Sequence, residues 1–344
     1  MGHMIDMSND RENMVYVGDT PWHRLGTAFE GNEDFDQWRI AAGFDWIAQE
    51  KELHYKDAVD IGEPIGQRDI LLPSHKALVR SDIGTVLGVV GKDYKVVQPA
   101  DVLGFFRDIA FASDGQYKME TAGCLFDGRR IWALAKTQNE IKIGDTDIIK
   151  PYLLLGTGFD GKISTFATYT AVRVVCHNTL SMAVGINCTS ADVRITHSQT
   201  FDDTEVKRAL GLITAAESDT LAAFAETANI LAGRPVNDTE TFQYFAGLYG
   251  PKREPGQSVE SLRISDFTNS QKRNINELLN LFKQGPGSQL ESARGTSWGL
   301  VNSVTHFEDW CRGKNAEKRL QSAGFGAGAN RKKQAVTVAL ALAA

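Results

Sequence analysis

The chain has 344 residues, 42% hydrophobic and 23% charged, with a net charge of -6; this is the balance of a protein with a sizeable core, and it argues against a disordered chain and a uniformly basic nucleic-acid binder. No apolar run approaches the roughly 18 residues that span a bilayer, no basic-then-apolar leader opens the chain, and MGHM at Met1–Met4 reads as a tag remnant, so a cytoplasmic protein is expected. Four cysteines, Cys124, Cys176, Cys188 and Cys311, lack C-x-x-C spacing and suggest neither a disulfide scaffold nor a zinc ribbon.

The first hundred residues mix short elements. Asp34–Ala42 and Pro99–Ala112 read as helices, Gly43–His54 and Ala77–Val90 as strands, and Asp82-Ile83-Gly84 as a turn between two strands. From Tyr117 the pattern changes to hairpins: Tyr117–Phe126 and Arg129–Thr137 flank Asp127-Gly128, and Ile148–Gly156 and Lys162–Tyr169 flank Asp160-Gly161. Joined through Gly144-Asp145-Thr146-Asp147, the two hairpins predict a four-stranded antiparallel meander.

The second hairpin contains a trap for the reader of motifs. Gly156, Gly158 and Gly161 spell G-x-G-x-x-G after an apolar run. A dinucleotide site needs a helix after those glycines, to hold the pyrophosphate on its N-terminal N–H groups. The residues that follow, KISTFATYTAVRVV, are β-branched and aromatic and favour a strand. Asp160-Gly161 is therefore expected to be a two-residue type I′ turn, and no cofactor is expected.

After the meander, Thr170 is positioned to N-cap a helix through AVRVVCHNTLSMAV, with Arg173 and His177 sharing one face. The apolar spacing continues past Asn178, which favours this helix over the alternative, a fifth strand up to Cys176. Beyond Arg194 the composition turns helical. Helices are expected from Asp202–Thr204 to Gly233, over Asn269–Lys283 and over Ser297–Cys311, with a loop over Pro251–Ser265. The glycine-rich and basic SAGFGAGANRKK precedes a short apolar helix to the C-terminus. The fold class is thus α+β: an antiparallel β-meander packed on a helix, followed by a mainly helical C-terminal part. Residues 1–14 form a flexible N-terminus, 15–200 the core with its hairpins, and 201–344 the helical region with a basic tail.

Catalytic signatures are missing. Cys176 and His177 are adjacent and point apart on strand or helix; His54, His75, His197 and His306 stand alone; and G-x-S-x-G, Walker and H-E-x-x-H motifs do not occur. No enzyme and no metal are expected. What remains suits phosphates and bases. Trp22, His23 and Arg24 follow Pro21, Arg129 and Arg130 follow a hairpin turn, and Arg173 and His177 lie four apart. The span from Arg312 to Lys333 carries Arg312, Lys314, Lys318, Arg319, Arg331, Lys332 and Lys333 against Glu317 alone.

Five stretches carry a resemblance in order: PWHRLGT (Pro21–Thr27), LVRSDIGTVLGVVGKDYKVVQ (Leu78–Gln98), TAGCLFDGRRIWALAK (Thr121–Lys136), YLLLGTGFDG (Tyr152–Gly161) and VRVVCHNTL (Val172–Leu180). Together they resemble the phage/plasmid-like family catalogued as domain of unknown function 932, with a relation to phage single-strand annealing proteins. The resemblance implies a mobile-element protein in the cytoplasm of a bacterial host. It also implies single-stranded DNA as partner, annealing for recombination without ATP, and assembly into a homo-oligomeric ring or filament. The alternative is a non-enzymatic protein that binds a host or phage protein partner, which the acidic net charge favours. The residues expected to meet nucleic acid are Trp22, His23, Arg24, Arg129, Arg130, Arg173, His177, Arg331, Lys332 and Lys333.

Overall fold

Asp34 and Gln37 form a reciprocal capping box that starts the first helix where the sequence places it. The computed structural model describes residues 5–18, 20–21, 24–59, 66–112, 117–173, 178–181, 193–195, 203–252 and 262–343. In chain order, β1 (Met14–Val17) and β2 (Thr27–Phe29) pair in parallel, and α1 spans Phe35–Ala41. Then β3 (Ala48–Val59), β4 (Gly66–Arg80) and β5 (Val86–Gly91) form a small antiparallel sheet in the order β3-β4-β5. Beyond Glu52 and Lys76 the β3–β4 pair runs on as a two-stranded ribbon after a register shift, because β5 pairs with β4 only between His75 and Val79. Helix α2 (Pro99–Ala112) follows, its proline at the first position, where the missing N–H costs nothing. The Gln98 side chain brackets the Ala48 backbone, accepting from its N–H at 2.9 Å and donating to its carbonyl at 3.2 Å.

The large sheet is built from β6 (Tyr117–Leu125), β7 (Arg130–Thr137), β8 (Ile141–Ile143), β9 (Asp147–Gly158), β10 (Thr165–Arg173), β11 (Asn178–Ser181) and β12 (Val193–Ile195). Its order is β11-β10-β9-β7-β6-β1-β2, so the expected meander β6-β7-β9-β10 is present and β1 extends it. Short β8 shares one edge of β9 with β7, and β11 and β12 share the outer edge of β10. Along β7, Ile131, Ala133 and Ala135 are buried, the alternation of a sheet with one face in the core. Helix α2 touches β6, β7 and β9 and buries Val102, Leu103 and Phe105.

Two expectations are corrected here. The helix from Thr170 does not form: Thr165–Arg173 is strand β10, in register with β9 from Phe166↔Gly156 to Arg173↔Ile149, and β11 returns antiparallel along it. The reason is tertiary: a strand with partners on both edges gains two ladders of hydrogen bonds, which outweighs a helical spacing of apolar residues. The meander's helix is therefore α2, which precedes it. The turn at Asp160-Gly161 is also wider than a two-residue loop, since residues 159–164 separate β9 from β10. Gly161 has the positive φ expected of it (72°), but Asp160 does not. The extra residues let the Phe159 ring enter the core, where it meets Trp46 edge-on at 5.2 Å.

The C-terminal region consists of α3 (Asp203–Ala232), α4 (Asp238–Tyr249), α5 (Asn269–Gln284), α6 (Ser297–His306), α7 (Ala316–Phe325) and α8 (Ala327–Ala343), with a π turn over Phe307–Cys311 continuing α6. Helix α4 goes beyond the sequence expectation, although its capping box, Asn237 with Glu240, is written in the chain. The glycine-rich stretch is helical too. A Cβ on Gly328 would lie 2.8 Å from Glu308 Oε2 and 2.9 Å from the Ser322 carbonyl, so this glycine serves close packing. Buried Asp147, at the start of β9, accepts hydrogen bonds from Ser292 Oγ (2.7 Å) and Trp298 Nε1 (3.0 Å), which ties the sheet to the helices.

Candidate functional site

Three adjoining hollows meet at Lys162, in the β9–β10 turn. The largest, about 730 Å3, lies against Pro73–Ser74, Gly91–Tyr94 and Gly161–Ser164. A second, about 460 Å3, runs along Val86–Val89 to Phe126, Arg129, Arg130 and Asp160. The third, about 330 Å3, reaches from Arg130 and Lys162 to Lys318, Ser322, Gly326 and Ala327. Together they form a groove lined by the cations Lys92, Arg129, Arg130, Lys162 and Lys318 against the carboxylates Asp93 and Asp160. On a chain of net charge -6, this is a local reversal of sign.

Packing fixes the groove's shape. Gly88 in β5 lies against the turn, and a Cβ there would stand 2.7 Å from Asp160 Cα and from the Phe159 carbonyl. The Tyr94 hydroxyl donates to the Gly158 carbonyl (2.8 Å), and the Phe159 N–H donates to the Arg129 carbonyl (2.9 Å), which joins the β6–β7 turn to the β9–β10 turn. Burial and the negative charge of Asp160 push the Tyr94 hydroxyl up, so it remains a donor. Asp160 accepts from the Lys162 N–H at 3.1 Å and faces Arg130 at 3.5 Å. Arg130 is buried, with its guanidinium 5.3 Å from the Phe126 ring centre.

Behind the groove stands Arg80, fully buried over Trp46 at 4.9 Å and held by Asp6 and by Asp82 at 2.9 Å. Burial opposes its charge, but the hydrogen bonds it donates to Asp6 and Asp82 outweigh that and push the guanidinium up. The β6–β7 turn closes on this pair. Phe126, Asp127 and Gly128 all have positive φ, and a Cβ on Gly128 would lie 3.0 Å from Arg80 Nη1.

The residues expected from sequence fall in different places. Arg129 and Arg130 line the groove. Arg24 is exposed at the end of a turn, its N–H donating to the Pro21 carbonyl at 2.8 Å, and Trp22 and His23 lie outside the described residues. Arg173 ends β10, opposite Ile149 and Asn178, and His177 lies outside the described residues, so the helix face proposed for the pair is not formed. Arg331 and Lys332 are held by carboxylates on the π turn: Arg331 with Glu308 at 3.1 Å and Lys332 with Asp309 at 2.8 Å. Glu308 is buried and also binds Arg312 (2.7 Å) and the Tyr249 hydroxyl (2.7 Å). Lys333 is exposed. Sequence reasoning missed Lys92, Lys162 and Tyr94, and counted Lys318 only within the basic span from Arg312 to Lys333. The available signal was local: Lys92 and Lys162 each follow a glycine at the end of a strand or in a turn, where a long side chain stays at the surface.

Residues 86–336 match the family described as a Domain of unknown function (DUF932). The chain belongs to this family. No curated protein and no solved structure matches it. The family match begins at the first residue of β5 and includes every groove cation, while the β3–β4 ribbon precedes it. Among the described residues no helix is long and apolar enough to cross a membrane, and no cluster of three His, Cys, Asp or Glu residues is placed to hold a metal ion.

Proposed function

We propose that this family member binds single-stranded DNA along the groove around Lys162 and promotes strand annealing without nucleotide hydrolysis, as a recombination protein of a phage or plasmid acting in the cytoplasm of its bacterial host. The observation that carries the reading is the convergence of five cations from four separate segments, beside the aromatic rings of Tyr94 and Phe126. Cations spaced along a groove hold a phosphate backbone, and neighbouring rings accept stacked bases of any sequence. A weak site becomes useful when many copies line up on one strand, so self-association is part of the proposal. Arg331 and Lys332 are left out of the groove, because their charges are already matched by Glu308 and Asp309.

The test is a salt titration of binding to a labelled single-stranded oligonucleotide. Lys92→Ala and Lys162→Ala are each expected to weaken binding for all sequences alike and to lower the salt slope by about 0.7. An unchanged slope in the Lys92→Ala, Lys162→Ala double variant, folded by circular dichroism, would place the strand elsewhere. A second reading, a protein that binds a protein partner, is favoured by the exposed apolar residues Tyr55, Leu71 and Leu72 on the β3–β4 ribbon. It predicts no strand binding even at low salt.

A further inference from the structure

Where the β3–β4 ribbon leaves the three-stranded sheet, its side chains stand in water on both faces. His54, Tyr55, Lys56 and Asp57 of β3 are exposed, and across from them Arg68, Asp69 and Leu71 of β4 are exposed with Ile70 half-buried. A two-stranded ribbon of this kind is marginally stable at best in water, and this one also holds Tyr55 (50%) and Leu71 (44%) open to solvent. Among the described residues β3 pairs with β4 alone. Covering one face would supply what the ribbon lacks, and the pairing of its residues points to what covers it. Residues directly opposite on two antiparallel strands share a face. One face carries Tyr55 opposite Ile70 and Asp57 opposite Arg68; the other carries His54 opposite Leu71 and Lys56 opposite Asp69. On the first face each of these rows joins either two apolar side chains or an anion and a cation.

That pattern is self-complementary under one symmetry. A two-fold axis running along the ribbon sets each residue against the cross-strand neighbour of its equivalent in a second copy. Asp57 then meets Arg68 of the second copy, Arg68 meets its Asp57, and Tyr55 packs on Ile70. An axis across the strands would instead set like charges against each other. We propose that two copies of this chain associate by packing these faces together, ribbon on ribbon, with the Asp57–Arg68 contact made twice. The contact gives the self-association of the proposed function a surface, and it does not rest on the strand-binding part of that reading. A few rows of residues make a small interface, below about 1,200 Å2 in total, so the association is weak and concentration-dependent. At the root of the ribbon Pro73 and Ser74 form a wall of the largest hollow, where the Ser74 carbonyl accepts from the Lys92 N–H at 3.0 Å. Two copies joined here carry their grooves beside one joint.

The experiment is sedimentation equilibrium of the full chain, without DNA, over a wide range of concentrations. A monomer–dimer equilibrium is expected. Asp57→Arg and Arg68→Asp each oppose like charges at both contacts and weaken the dimer by about tenfold or more. An equimolar mixture of the two single variants restores association, and so does the double variant Asp57→Arg, Arg68→Asp, because opposite signs meet again in both. Lys56→Gln, on the other face, leaves the dimer unchanged; a loss there as large as in the charge reversals would overturn the choice of face. A chain that stays monomeric throughout overturns the contact and leaves the ribbon to a different protein partner. Weakening in the single variants without recovery in the mixture assigns the effect to the folding of the ribbon itself and overturns the contact as well. Association indifferent to both reversals places the interface elsewhere. Strand binding is judged separately by the salt titration: a dimer that binds no strand keeps the contact and removes the DNA reading, and a monomer that binds strands does the reverse.

Discussion

His306 closes α6 with its ring half-buried, 6.3 Å from that of Trp310. A charged histidine near a helix C-terminus is favoured by the helix dipole, but burial disfavours the same charge, and burial prevails: the imidazole is held below its ordinary value of 6.5. The sign of the consequence is fixed. The unfolded chain takes up its proton first, so the contribution of His306 is full above about pH 6.5 and declines as the pH falls toward the lower folded value. Urea denaturation at about pH 7.5 and pH 5.5 should show a smaller loss of stability in His306→Gln than in the parent chain; equal losses would mean that the ring is wet in solution. At this scale the sequence was a partial guide to the site. Arg129 and Arg130 were legible because a turn signal precedes them. Arg331 and Lys332 misled because a run of cations in sequence does not reveal the Glu308 and Asp309 that meet them in space.

At the scale of elements, the groove depends on how β5 lies against the β9–β10 turn. Gly88→Ala would drive a Cβ into the turn backbone, and neither Asp160 Cα nor the Phe159 carbonyl moves without displacing the turn. A loss of about 1–3 kcal/mol is expected, the usual effect of overpacking, together with weaker strand binding. Gly84 is the control. It has φ 68° and open space around it, so Gly84→Ala carries only the backbone cost of about 1–2 kcal/mol and leaves binding intact. Equal binding by the two variants would detach the turn from the function. Local signals served the elements well where local forces decide them: Pro99–Ala112 is a helix to the residue, and Asn269–Gln284 differs from its expected span by one position. They failed at Thr170, where β9 and β11 supply hydrogen bonds that no window of sequence contains, and at SAGFGAGANRKK, where glycines that suggest a loop instead admit a close helix contact.

At the scale of the whole molecule, most of the buried apolar residues described form one cluster from Val15 to Ala339, and buried Asp147 is a polar joint between its sheet and its helices. Removing its carboxylate leaves Ser292 and Trp298 without that acceptor, at about 1–3 kcal/mol for each buried group left unsatisfied. Asp147→Ala should therefore lower the urea midpoint. It should also separate the unfolding curves read by circular dichroism, dominated by helix, and by tryptophan fluorescence; coincident curves at an unchanged midpoint would show that the joint bears no load. The sequence predicted the α+β class and the order of meander and helices, since hairpin turns and helical periods are local. It could not predict that α2, which precedes the meander, would become the helix the meander packs on. The ribbon of β3 and β4 has a mechanical consequence. From Glu52 to Val59 it extends about 25 Å at the usual rise per residue, anchored where the register shifts between Glu52 and His54. A rotation of about 10° at that anchor would sweep the far end through about 4 Å, so a bend too small to disturb the core becomes a displacement as wide as the spacing between strands.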